Sequence, residues 1–315
     1  AEEESGMDLY ADTFQATKKA GTTPVGGDTV TKTQPTNLIC IMNESFTDMS
    51  IYDKLQINGE TLPFYNSLSE NTIKGWMYSP VTGGGTANVE YEFLTGNSTA
   101  FLPSGTVPYQ LYVKDRQASL VSLMSELGYE TTAFHPYVSS GWNRPLVYSY
   151  MGFDHQIFED DMQNPEYVRG YISDQSDYRQ IESITEKASG KPTFIFNVTM
   201  QNHSGYDYGN FETPIQLKDA PGKYKETEQY LNLIKKSDEA FEELTDYFSQ
   251  VNEKTIIVMF GDHRPGVESS YYDMIAGKSK SQLSEEEYMQ RYKVPFIIWA
   301  NYDIDEAYLD KISAN

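Results

Sequence analysis

Five short apolar runs constrain the fold of this chain more than any other feature: Asn37–Met42, Thr131–Phe134, Thr193–Thr199, Thr255–Phe260 and Val294–Ala300. Each suits one buried strand, and none approaches the roughly 18 apolar residues of a membrane span. Helical patterns lie between them. Ser119–Leu127 runs into Gly128, a residue suited to ending a helix. Tyr230, Leu233, Ile234, Phe241, Leu244 and Phe248 recur at helical spacing on one face of a long helix. Strands alternating with helices predict βαβ units. The expected fold class is therefore α/β, a mostly parallel central sheet with helices on both faces.

The 315 residues are 39% hydrophobic, enough for one sizeable core. No repeat or internal linker divides them. Residues 1–36 are polar, with Gly21, Gly26 and Gly27, and read as a flexible leader or surface strap before one domain over 37–315. The chain opens at Ala1 without an initiator methionine or a visible signal peptide, so it reads as a processed or trimmed piece.

Charge narrows the partners. With 46 acidic and 24 basic residues the net charge is -22, which argues against nucleic acid and against adhesion to an anionic membrane by a basic patch. A phosphate-bearing ligand would need a local cation. The single Cys40 lies within an apolar run and reads as a buried, inert thiol.

The ends of the runs carry the chemistry. Asn43-Glu44-Ser45 follows the first run, His135 the second, Gln201-Asn202-His203 the third and Asp262-His263 the fourth. In an open α/β sheet, ligands bind just beyond the carboxyl ends of the strands. Polar residues commonly mark where strands stop. Here, however, the residue types are metal ligands and acid/base groups rather than glycine or serine. The fourth histidine, His155, follows Gly152-Phe153-Asp154 and reads as structural. A second unusual segment is Gly83-Gly84-Gly85-Thr86, leading into a helix-competent stretch. It lacks the endings of a P-loop and the spacing of a dinucleotide fingerprint. Thr86 either caps that helix or serves as a nucleophile whose alkoxide is stabilised by a metal at the positive helix end.

At these residues the chain resembles the lipoteichoic acid synthase family of phosphoglycerol transferases, within the alkaline phosphatase and sulfatase superfamily. The matching segments are NLICIMNESF from Asn37, GGGTANVEYEFLTG from Gly83, FHPYVSSGWNR from Phe134, MQNHSGYD from Met200 and FGDHRPG from Phe260. Their order and spacing agree from about Asn37 to Ala300. The resemblance implies that Glu44, Thr86, Asp262 and His263 hold one divalent metal, manganese or magnesium, with Thr86 also the nucleophile. It implies that His135, Trp142 and Arg144 hold the glycerol-phosphate head group, and that His203 lies beside the phosphate. Arg144 can grip a phosphate bidentately and Trp142 can cover glycerol carbons; the plainer readings are a surface salt bridge and a core aromatic. Asp174 matches a Ser-Asp pair of the family and reads as a helix cap or support. Arg264 has no assigned role.

The implied activity moves glycerol phosphate from phosphatidylglycerol to a polyglycerolphosphate, glycolipid or other glycan acceptor, through a covalent phospho-threonine. The place implied is the extracellular face of a Gram-positive-type cell membrane, reached through an N-terminal membrane segment that this sequence lacks. Relative to the family, the carboxyl end after Val294–Ala300 reads as truncated. Two other readings stand beside it. One is another reaction of the superfamily, by a phosphoethanolamine transferase, other phosphodiesterase or sulfatase-like hydrolase; the formylglycine motif of sulfatases is absent at Thr86-Ala87-Asn88-Val89-Glu90. The other is a non-catalytic module that binds a cell-wall polymer.

Overall fold

The computed structural model describes residues 34–315 except residue 53. The leader expected over 1–36 lies almost entirely outside the described residues. Ten strands are described: β1 (Asn37–Asn43), β2 (Thr72–Tyr78), β3 (Glu130–Phe134), β4 (His155–Ile157), β5 (Tyr167–Val168), β6 (Tyr171–Ile172), β7 (Thr193–Val198), β8 (Thr255–Gly261), β9 (Lys293–Ala300) and β10 (Ala307–Ser313). Eight form one sheet in the order β10-β2-β9-β8-β1-β7-β3-β4, and β5 and β6 make a separate hairpin. β1 pairs in parallel with β7 and β8, β3 with β7 and β4, and β10 with β2. β9 is antiparallel to both β8 and β2. Seven strands therefore run one way and β9 alone runs against them, so the sheet is mostly parallel.

All five apolar runs form strands of this sheet. Alternation within them feeds two cores, because both faces are covered. On one face, Ile39 and Ile41 of β1 join Ile195, Ile257 and Met259 under the long helix Lys225–Ser249, whose Tyr230, Leu233, Phe241, Leu244 and Phe248 are buried there. On the other face, Cys40 and Met42 join Phe194, Phe196 and Phe260. They are covered by the helices Thr86–Thr95, Leu120–Glu126 and Arg144–Met151. Burial pushes the Cys40 thiol up to about 12, which makes it the inert group expected.

Register sets up the functional edge. Asn43 lies opposite Gly261 of β8, and Met42 opposite Val198 of β7. The residues that leave these strands, Glu44, Thr199 and Asp262, therefore emerge side by side. Gly261 is required at this point, because a Cβ there would sit 2.0 Å from the Phe46 carbonyl oxygen.

Candidate active site

Glu44, Asp262 and His263 meet at that edge, all buried, with ligand atoms within 4.8 Å of one another. His263 Nε2 lies 3.2 Å from Asp262 Oδ2 and 3.7 Å from Glu44 Oε1. Its Nδ1 lies 3.0 Å from the Arg264 carbonyl, which only accepts, so Nδ1 carries the hydrogen and Nε2 turns toward the carboxylates. Ser45, with φ 54°, was not anticipated. Its N–H donates to Asp262 Oδ1 at 2.7 Å and its hydroxyl to Glu44 Oε1 at 2.8 Å, fixing both carboxylates.

The charges do not balance. Burial, then the neighbouring Glu44, raises the Asp262 carboxyl to about 6. Burial alone would lower His263, but Asp262 and Glu44 together raise it. Two carboxylates and an imidazole nitrogen converging in a buried corner form a donor set that fits one divalent cation.

Thr86 completes the corner. Gly83, Gly84 and Gly85 take φ of 71°, 136° and 97°, a path that L side chains rarely follow. Gly85 is the N-cap of the helix Thr86–Thr95, so Thr86 is its first residue and not its cap. The Thr86 hydroxyl donates to Asp262 Oδ2 at 2.8 Å. Of the two sequence readings, the cap is excluded and the hydroxyl faces the proposed metal ligands.

The head-group candidates are placed less uniformly. His135 is buried, with Nδ1 2.8 Å from the Val198 carbonyl, so Nε2 is left as an acceptor. Burial first, then Arg144, holds His135 well below the usual histidine range. His203 is half-buried, its Nδ1 3.2 Å from the Tyr171 hydroxyl, and burial lowers it too. Tyr171 and His203 rings lie 5.4 Å apart, and Tyr137 joins Tyr171 at 5.9 Å. Trp142 is half-buried in a left-handed conformation, φ 56°.

At Arg144 the plainer reading, a surface salt bridge, requires a correction. The Arg144 fork is engaged by Glu90, with Nη2 at 2.6 Å and Nε at 3.1 Å from Oε1. Both residues are buried, so this is an internal pair rather than the surface bridge considered from sequence. Glu90 takes one hydrogen each of Nε and Nη2, which leaves both Nη1 hydrogens and the second Nη2 hydrogen, so the end of the guanidinium can still meet a phosphate. Glu90 also accepts from Tyr148 at 2.7 Å and Tyr109 at 3.3 Å. The signal for Glu90 was present: it lies four residues after Thr86, on the same helix face.

Asp174 supports the site without capping. Ser173 is the cap of the helix Asp174–Ala188, while Asp174 Oδ2 accepts from Asn43 at 2.8 Å and Ser237 at 2.6 Å. Asn202 donates to the same Ser237 and to Asn43. This buried network ties the residue before Glu44 to the residue before His203. His155 pairs with Glu130 at 2.7 Å on the surface, a structural role as read.

Residues 36–314 match the sulfatase family. The chain belongs to that family. A putative cyclic beta-1,2-glucan modification protein of Rhizobium meliloti is 31% identical over 88% of this chain and 44% of its own length. Lipoteichoic acid synthase 1 of Bacillus subtilis is 26% identical over 83% of the chain and 41% of its own length. The chain thus spans less than half of either relative. Among solved structures, the Streptococcus pyogenes phosphoglycerol transferase GacH, in complex with sn-glycerol-1-phosphate, superposes with a TM-score of 0.75 at 24% identity, covering 88% of this chain and 71% of that one. The lipoteichoic acid synthase LtaP of Listeria monocytogenes gives 0.72 at 20% identity, covering 88% and 68%. A Vibrio parahaemolyticus protein in the alkaline phosphatase superfamily gives 0.65 at 20% identity, covering 87% and 62%, so the chain has a fold like that of the superfamily. Relatives occur in both Rhizobium and Bacillus, so a Gram-positive source stays an expectation from sequence. Among the described residues, no helix is long and apolar enough to cross a membrane.

Proposed function

We propose that this chain is the catalytic domain of a metal-dependent phosphoglycerol transferase acting at the outer face of a membrane. It would move glycerol phosphate from phosphatidylglycerol to a hydroxyl of a glycan or teichoic-acid-type acceptor. The observation that carries this reading is the Thr86 hydroxyl, 2.8 Å from Asp262 at a helix start, beside the buried Glu44–His263 cluster. A non-catalytic polymer-binding module has no need of that arrangement. The Rhizobium relative, named for glucan modification, favours a glycan acceptor over polyglycerolphosphate.

Glu44, Asp262, His263 and Thr86 would hold the metal, manganese in our reading. When bound, a divalent ion supplies charge neutralisation for the alkoxide and the phosphoryl oxygens. The chain does the rest. Thr86 gives up its proton along the contact to Asp262 Oδ2, and Oγ1 attacks phosphorus. Diacylglycerol departs, its oxygen taking up through solvent the proton that Thr86 released, and glycerophospho-threonine remains. His135 Nε2 accepts from a glycerol hydroxyl, the free end of the Arg144 guanidinium donates to the phosphate oxygens, and Trp142 covers the glycerol carbons. His203, held neutral, takes the proton of the acceptor hydroxyl as that oxygen attacks phosphorus and Thr86 leaves; the proton passes through solvent to Thr86 Oγ1, which restores the hydroxyl.

Withholding acceptor tests this. Mass spectrometry should find a glycerophospho adduct on Thr86 after incubation with phosphatidylglycerol and manganese. Thr86→Ala should lose turnover by on the order of 10³-fold or more. Retained turnover in Thr86→Ala, or no adduct under trapping, overturns the reading. Faster turnover of phosphatidylethanolamine moves the assignment to that head group.

A further inference from the structure

A cavity of about 230 Å³ opens beside the strand end that carries Asp262 and His263. Its walls carry the side chains of Lys54, Arg264, Lys278, Lys280 and Arg291 against the carboxylates Asp273 and Glu287. Such a basic lining is unexpected in a chain of net charge -22. Glu287 is already occupied by Lys278 at 2.7 and 2.9 Å.

Among the described residues the two arginines have only neutral partners. Arg264 is 6% exposed; its Nε donates to Thr82 Oγ1 at 3.1 Å, its Nη1 to the Tyr52 hydroxyl at 3.0 Å, and its guanidinium stacks 3.8 Å over the Tyr272 ring. Nη2 has no hydrogen-bond partner among the described residues. Arg291 lies 5.4 Å from the Tyr288 ring, and its Nη1 is buried with no partner. No carboxylate of the described residues is paired with either. A buried cation without a counter-charge is costly, and an unpartnered buried N–H adds to that cost. Burial, then the charge of Arg264, lowers Arg291.

Guanidinium groups with a nitrogen free, among lysines, match the non-bridging oxygens of a phosphate group. We propose that this cavity is an anion subsite for a phosphate group. Its position suggests the occupant. The Arg264 carbonyl accepts from Gly83 N–H at 3.2 Å, and its side chain holds Thr82, so the cavity wall and the loop before Thr86 are joined. A phosphate seated there belongs to an acceptor already substituted with glycerol phosphate. That identity rests on the transferase reading above; the anion site itself does not.

Calorimetry on the metal-free full chain tests both parts, with ionic strength balanced by chloride. Inorganic phosphate should bind the wild type, and Arg291→Gln should weaken it at least tenfold without lowering the thermal midpoint. Lys54→Gln provides a second variant if Arg291→Gln misfolds, and it too should weaken binding. No binding to wild type, or equal binding to the folded variants, overturns the site and leaves the Thr86 adduct experiment untouched. A glycerophosphoglycerol diester binding at least as tightly as inorganic phosphate supports an acceptor. Tighter binding of inorganic phosphate overturns the acceptor assignment and identifies a site for free phosphate.

Discussion

Two buried ionic clusters bear on the helix that begins at Thr86, and they are built on opposite principles. Glu90 and Arg144 neutralise each other, and Tyr148 and Tyr109 donate to the remaining oxygen of Glu90. At the other cluster, Glu44 and Asp262 face one histidine, and the strain appears as a raised Asp262. The first cluster is complete as folded. The second is complete only with added positive charge. The difference explains why similar burial fits different roles: Glu90–Arg144 fits a positioning role beside the proposed head-group wall, while Glu44–Asp262–His263 fits the proposed receptor for a cation.

The largest expected effect breaks the balanced cluster. Glu90→Gln removes the counter-charge of Arg144 and points an amide donor at hydroxyls that already donate. Breaking a buried pair this way costs about 3–5 kcal/mol, measurable by urea unfolding. A loss well under 1 kcal/mol would mean that the pair is wet in solution and that the contrast is misplaced.

The next effect completes the unbalanced cluster. Manganese at about 100 times its Kd should stabilise the chain by about 2.7 kcal/mol. Glu44→Gln should abolish most of that gain. In metal-free protein the same substitution should shift stability by less than about 1 kcal/mol in either direction, because it also relieves like-charge repulsion. Removing a carboxylate is thus damaging in one cluster and nearly neutral in the other. Equal losses at Glu90 and Glu44 would remove the distinction.

Sequence exposed these clusters unequally, for physical reasons. Glu44, Asp262 and His263 directly follow strands buried on both faces, so apolar runs announce them. Gly83-Gly84-Gly85 marks Thr86 because left-handed backbone demands glycine. Glu90 was legible only as a helical neighbour of Thr86, and burial of its pair with Arg144 requires the fold. β2, with Lys74 and Gly75 in its middle, lacks the apolar signature, and β4 and β10 are edge strands with exposed or half-buried residues. The reversed direction of β9 depends on the connection over 262–292, which holds short helices and no strand pattern. That connection also builds the basic cavity, and so Arg264 had no readable role.

The smallest effect is in pH, and its sign separates the clusters again. Asp262 rises to about 6 and His263 also rises, so the folded metal-free chain binds these protons more tightly than the unfolded chain. Their stabilisation is fully present below the unfolded pKa values. It fades as pH climbs through about 6 for Asp262, and through the raised value for His263. His135 and His203, lowered by burial, act in the opposite sense, so a raw stability profile mixes the two. The difference between Glu44→Gln and wild type cancels those two histidines. With Glu44 neutral, Asp262 and His263 both fall back, and the variant loses less stability as pH rises. The gap in thermal midpoint should therefore move in favour of Glu44→Gln between about pH 5 and pH 8. Saturating manganese should reverse it at the upper end, where its ligands are deprotonated. A gap independent of pH would show that Glu44 and Asp262 do not repel in solution, and the cation-receptor reading of this cluster would fall.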